Sequence, residues 1–170
     1  MTQRQRNFLR WSLYSAGFLL VLLLSTSVLG NRTFLGTKLS LLPVYAACVA
    51  CREGHEQGGL FALITAAFWA LSGASGGAVF VFLLPLGSMV AGYITSAYVT
   101  RSLMPAVGGS LLNLVLCEGA VYVQRLFLGS PIPADASRLV LLQIGFSLLT
   151  TPLFWWLTGK IAKAGDRHGT

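Results

Sequence analysis

Residues 57–100 run QGGLFALITAAFWALSGASGGAVFVFLLPLGSMVAGYITSAYVT, forty-four positions without one Asp, Glu, Lys or Arg. A bilayer-crossing helix needs about 20 mostly apolar residues, so this run is too long for one crossing and suits two. Between the halves stands Ser72-Gly73-Ala74-Ser75-Gly76-Gly77, where small and polar residues break the apolar pattern into a turn. The stretch predicts helices over about 58–71 and 78–99 in an integral membrane protein.

Upstream lies the charged loop Arg52-Glu53-Gly54-His55-Glu56, and before it thirteen uncharged residues, Leu39 to Cys51, between Lys38 and Arg52. That run is short for a full crossing and contains Pro43, so it is expected as a tilted span over 39–54 with snorkelling ends, or as a re-entrant segment. Still earlier, Trp11 to Asn31 carries no charge and follows Arg4, Arg6 and Arg10. This first span, about 8–30, is too long for a signal-peptide core and lacks a small-residue cleavage site. Downstream of Arg101, a fifth span covers about 105–128, interrupted by Asn113 and Glu118. A loop over 129–136 holds Pro131 and Pro133, and a sixth span, about 139–159, lies between Arg138 and Lys160. Pro85 and Pro152 fall inside the fourth and sixth spans, where a missing donor and a ring clash kink a helix.

The composition agrees. Of 170 residues 55% are hydrophobic and 10% charged, with mean hydropathy +0.72, whereas soluble domains are about 25% charged. The expected fold is all-α, a single polytopic domain over 1–170 with about six transmembrane helices. The net charge of +7 is spread along the chain instead of massed, which argues against nucleic-acid binding and for topology signals. Six spans put Arg4, Arg6, Arg10, Arg52, Arg101, Lys160, Lys163 and Arg167 on one side and Arg32, Lys38, Arg125 and Arg138 on the other. Eight against four places both termini in the cytoplasm by the positive-inside rule. A re-entrant second segment leaves five spans and strands the basic tail outside, which the charge bias disfavours.

Little in the sequence points to catalysis. There is no nucleophile elbow, no His-Glu-x-x-His and no phosphate-cradling loop, and no cofactor or metal is expected. Cys48 and Cys51 have Cys-x-x-Cys spacing but lack a second Cys/His pair, and with Cys117 they are expected to pack as small hydrophobes. His55 is assigned to a short charged loop, because structural zinc needs four ligands.

Two features invite a contact role. Glu118 is the one acid deep in an apolar span, and a carboxylate there needs a partner. It is expected either to contact a partner helix or ligand cavity, or to be satisfied within the bundle by Asn113, Gln143 or a tyrosine. Ala62, Ala66 and Ala70 repeat every four residues on the third helix, as do Gly92, Ser96 and Thr100 on the fourth. Such small-residue stripes let helix backbones approach closely, within one chain or between chains.

In order, Arg52-Glu53-Gly54, then Gly59-Leu60-Phe61-Ala62-Leu63, then Trp69-Ala70-Leu71-Ser72-Gly73 with its glycine-rich turn, resemble the rod-shape-determining MreD family, particularly its Gram-positive members. The final Leu148-Leu149-Thr150-Thr151-Pro152-Leu153-Phe154-Trp155-Trp156-Leu157 is similar as well, so the resemblance covers most of residues 8–163. The chain departs from the family at Trp69-Ala70, where many members carry an acid. The resemblance implies a non-enzymatic subunit of the bacterial cell-elongation machinery in the cytoplasmic membrane. Its implied partners are an MreC-like membrane protein and, through it, the actin-like filament protein and the peptidoglycan polymerase and transpeptidase pair. That family is also similar in architecture to the substrate-binding S-components of energy-coupling-factor vitamin transporters, which supply the alternative expectation.

Overall fold

The computed structural model describes residues 3–28, 39–72, 78–97, 102–129 and 136–167. Among them the chain is all-helical, with no strand. Seven helices follow in order: α1 Gln3–Leu23, whose last turn widens into a π-helical segment Leu24–Val28, α2 Leu41–Glu53, α3 His55–Leu71, α4 Ala78–Ala97, α5 Leu103–Phe127, α6 Ala136–Leu148 and α7 Thr151–Arg167. Among the described residues four stretches are long and apolar enough to cross a membrane: Arg4–Ser27, Ala78–Ala97, Leu103–Phe127 and Ser137–Lys163, the last shared by α6 and α7. The helices α2 and α3, at 13 and 17 residues, are shorter.

The short helix is the centre of the molecule. Every residue from Leu41 to Cys51 is buried, and α2 touches each of the other six helices. A helix that is apolar all round has no face to give to water and needs neighbours on every side. Its small residues make that geometry possible. A side-chain carbon on Gly58 of α3 would overlap the backbone of Ala50, and one on Gly92 of α4 would come within 3.0 Å of backbone atoms of Ala50, His55 and Gly54. Gly54 itself, at φ 95°, adopts a left-handed conformation that folds α3 directly back along α2.

Around α2 the outer helices each give one stripe to the core. Tyr14, Phe18 and Val21 of α1 are buried at helical spacing, and Phe61 of α3 joins them in an aromatic cluster with Trp11 and Tyr45. On the opposite side Ala62 and Ala66 of α3 and Phe80 and Leu84 of α4 close over Ala46, with Trp69 stacked on Phe80 at 4.4 Å. Large apolar side chains such as Phe82, Leu86, Met104 and Leu141 point outward.

The helix α5 runs unbroken through Asn113 and Glu118, from Leu103 to Phe127. Two sequence expectations change in detail. The third helix begins at His55, before residue 58. Pro152 lies in the first turn of α7 and not inside a helix, because its ring excludes the bond to the carbonyl of Leu148 and the sixth run divides there into α6 and α7. The hydroxyl of Thr150 donates to the carbonyl of Ser147 at 2.6 Å, answering part of the break. Pro85 does lie inside α4. The turn at 73–77, the loop at 130–135 and Arg32, Lys38, Thr100 and Arg101 lie outside the described residues.

Leucine at position 66 or 92 is expected to overfill the α2 interface and lower stability by about 1–3 kcal/mol. Leucine at the exposed Ser96 should leave it unchanged. Thermal unfolding of the three purified variants in one detergent checks this.

Candidate functional site

Three groups of polar side chains lie between the helices, and two of them sit at the ends of α2. Ser40 occupies the position before its first turn, where a hydroxyl ordinarily caps backbone donors. Here the Ser40 hydroxyl instead donates to Glu118 Oε1 of α5 at 2.6 Å. Gln143 Nε2 of α6 donates to the same oxygen at 2.6 Å and to Ser40 Oγ at 2.8 Å. The Ser40 backbone N–H donates to Ser147 Oγ of α6 at 3.0 Å. One carboxylate thus ties together three helices. Of the partners expected for Glu118, Gln143 is realised, Asn113 is not, and Ser40 was not foreseen.

Asn113, fully buried one turn earlier on α5, makes a separate junction. Its Nδ2 donates to Ser88 Oγ of α4 at 2.9 Å and to the carbonyl of Pro43 at 3.2 Å. A side chain at Gly87 would collide with Asn113 Oδ1, so glycine there makes room for the amide.

The third group closes the far end of α2. Glu53 accepts an ion pair from Arg10 of α1 at 3.0 Å and a hydrogen bond from the Tyr14 hydroxyl at 2.8 Å. The neighbouring Arg52 turns to α7, where Nε donates to Thr158 Oγ1 at 3.0 Å and Nη2 to the Trp155 carbonyl at 2.7 Å. Its guanidinium also lies 3.7 Å over the Trp155 ring. A planar cation with several donors suits this stacked, multidentate seat in a way an ammonium would not. The Tyr45 hydroxyl donates to the carbonyl of Tyr14 at 3.0 Å, fastening α2 to α1 a turn further in.

The remaining candidates are dispersed. Ala62 and Ala66 are buried within the chain, Ala70 is half-buried, Gly92 meets the α2–α3 turn, and Ser96 is exposed with its hydroxyl donating to the Tyr93 carbonyl. The buried stripe of α4 runs instead through Leu84, Ser88, Ala91, Gly92 and Thr95. The three cysteines are free and buried. Cys48 Sγ donates to the Thr151 carbonyl of α7, and Cys51 Sγ to the Ala91 and Pro105 carbonyls of α4 and α5, so the two thiols serve different helices. His55 sits edge-on to Tyr93 and 3.9 Å from Glu56. No group of three His, Cys, Asp or Glu residues is gathered among the described residues.

The sequence alone marks Arg10, Arg52 and Glu53 only as charges flanking apolar runs, and nothing in it singles out Tyr14, Ser88 or Thr158. A usable signal was present in Arg52-Glu53, two opposite charges ending a helix with no polar face, and in Arg10, one turn ahead of the Tyr14, Phe18, Val21 stripe.

Comparison of the chain with models of known protein families, with characterised proteins and with solved structures gives no match.

Replacing Ser40 and Glu118 by Ala singly and together should reveal a coupling of about 0.6–1.7 kcal/mol, the range for hydrogen bonds between membrane helices. Unfolding free energies of the four proteins in one detergent measure it. Arg52→Lys should lower the melting temperature more than Lys163→Arg, because only the former loses a stacked and multidentate contact.

Proposed function

We propose that this chain is a membrane-embedded scaffold subunit of the bacterial cell-elongation machinery, acting by helix packing against the membrane segments of partner proteins. The observation that carries the proposal is how the interior polar groups are used. Glu118, Asn113, Arg52 and Glu53 are each bonded to side chains or carbonyls of other helices in the same chain, which serves to hold a bundle together. What the bundle then offers outside is a set of broad apolar helix faces, such as Leu60, Leu63, Ile64 and Phe68 on α3. Rigid apolar faces suit a subunit whose work is docking.

The order of segments that resembles the MreD family supports the same conclusion and supplies the partners, an MreC-like membrane protein and, beyond it, the filament protein and the wall-synthesis pair. In this proposal six segments cross or enter the cytoplasmic membrane, α6 and α7 counting as one broken span. The end holding Arg10 and Glu53 faces the cytoplasm, consistent with the excess of Lys and Arg there.

One observation favours a second reading, a substrate-binding S-component. On that topology the Ser40, Glu118, Gln143 and Ser147 group lies in the outward half, where convergent polar side chains would grip a small molecule.

Affinity purification of the tagged protein from its native membrane, with mass spectrometry of proteins and bound small molecules, separates the two. Recovery of an MreC-like protein with the polymerase and transpeptidase pair is expected. Recovery of an ATPase module with its transmembrane coupling subunit, or of a bound vitamin, would overturn the scaffold.

A further inference from the structure

Helix α6 is held to the bundle differently from its neighbours. Among the described residues every other helix buries at least two apolar side chains, as α7 does with Phe154 and Ile161, whereas α6 buries only Ser147. Its Ile144 and Leu148 reach the core half-buried, Leu141 is 71% exposed, and a side chain on Gly145 would meet nothing within 4 Å. Helices in lipid associate through close packing and through hydrogen bonds between them. With little of the first, α6 depends on the second.

Those bonds share one face, because Gln143 and Ser147 lie four residues apart. Gln143 Nε2 donates to Glu118 Oε1 and to Ser40 Oγ, and Ser147 Oγ accepts from the Ser40 backbone N–H. Every one of them ends on Ser40 or Glu118, so they make and break as one latch.

The joint with α7 is just as local. The ladder of α6 ends with the N–H of Leu149 on the Gly145 carbonyl at 3.3 Å and that of Thr150 on Ser147 at 3.1 Å, and α7 restarts with the N–H of Phe154 on Thr150 at 3.1 Å. Pro152 has no N–H to carry a bond back to Leu148. The Thr151 hydroxyl is fully buried without a hydrogen-bond partner, so it does not brace the joint. Beyond this point α7 is fixed: the Thr151 carbonyl accepts from Cys48, Phe154 is buried, and Arg52 holds Thr158. Hinges are a few residues at the ends of elements that absorb a backbone rotation between rigid bodies. Leu149, 73% exposed, and Thr150 stand at such a place.

We propose that α6 is a gate helix that swings as a unit on Leu149 and Thr150, away from α5 and the start of α2, while the other helices stay packed. Latched, its Gln143 and Ser147 occupy Glu118 and Ser40. Swung out, it leaves that carboxylate and hydroxyl open to a hydrogen-bond donor arriving from the membrane. The inference does not rest on the scaffold reading.

The test places the full chain in phospholipid nanodiscs and measures distances between pairs of spin labels by pulsed electron paramagnetic resonance. Labels go on cysteines introduced at the exposed positions Leu141 of α6 and Phe82 of α4, or Leu153 of α7 and Phe82, since the three native cysteines are buried. The α6–α4 pair should give two distances, and the α7–α4 pair one. Gln143→Leu removes two of the latch bonds and should raise the ratio of swung-out to latched molecules by roughly threefold for each, the effect of an average hydrogen bond between membrane helices. Ser147→Ala removes one bond without leaving Glu118 unpartnered, so it gives about a threefold rise even if the first variant fails to assemble. A ratio unmoved by either substitution would overturn the gate. Equal spreading of the α7–α4 distance would also overturn it, because the whole bundle would then be loosening.

Discussion

A helix of 13 residues with no polar face, held at the centre of the chain, is the constraint from which the rest of the structure follows. Because α2 is buried on every side, each other helix must bring a stripe that fits against it. Tight contact requires small residues, and α2 supplies Ala46, Ala47, Ala50, Cys48 and Cys51. Its neighbours answer with Gly58 and Gly92, where a side chain would strike the backbone of α2 or its turn into α3, and with Gly109 of α5, where one would strike Ala91 of α4 and crowd Cys51. Where helices gain nothing from excluding water, as in lipid, such close van der Waals fit is a main source of association.

The ends of the same helix explain the polar networks. A helix terminus leaves backbone groups without intrahelical partners, and polar residues next to it are costly if buried unanswered. At one end Ser40 is answered by Glu118, Gln143 and Ser147. At the other, Glu53 is answered by Arg10 and Tyr14, and Arg52 by Thr158 and Trp155. The outer helices that lack a broad hold on α2 are the ones these clamps reach: α6 through Gln143 and Ser147, and α1 and α7 through the Arg52–Glu53 pair. Each bond is modest by itself, yet leaving a carboxylate or guanidinium unpartnered there would cost more than the bond contributes.

Much of this was legible in advance where it depended on local pattern. Glu118 stood out as a lone acid in an apolar run, Gln143 was among its foreseen partners, and Ala62 and Ala66 were foreseen as a packing stripe. Ser96 was not separable from Gly92 by spacing alone, because a four-residue repeat drifts around a helix of 3.6 residues per turn and carries Ser96 off the buried face onto the surface. Pro152 was placed inside a span because the flanking residues are uniformly apolar, and only the division of α6 from α7 shows it beginning a helix. The Arg52–Glu53 clamp was hidden because charges between apolar runs serve equally as loop markers and as buried partners.

Chain composition and the positions of charged, glycine and proline residues determined by themselves that the molecule is helical, that several helices are long and apolar enough to cross a bilayer, and roughly where each begins and ends. Those features follow from the length of apolar runs and from backbone chemistry, both local properties. Tertiary structure decided that the shortest run is the central helix, which face of each outer helix turns inward, and that Glu118 meets Ser40, 78 residues away, while Arg52 meets Thr158 across 106. Those outcomes depend on which distant surfaces fit together, and a run of apolar residues looks the same in sequence whether lipid or another helix will cover it.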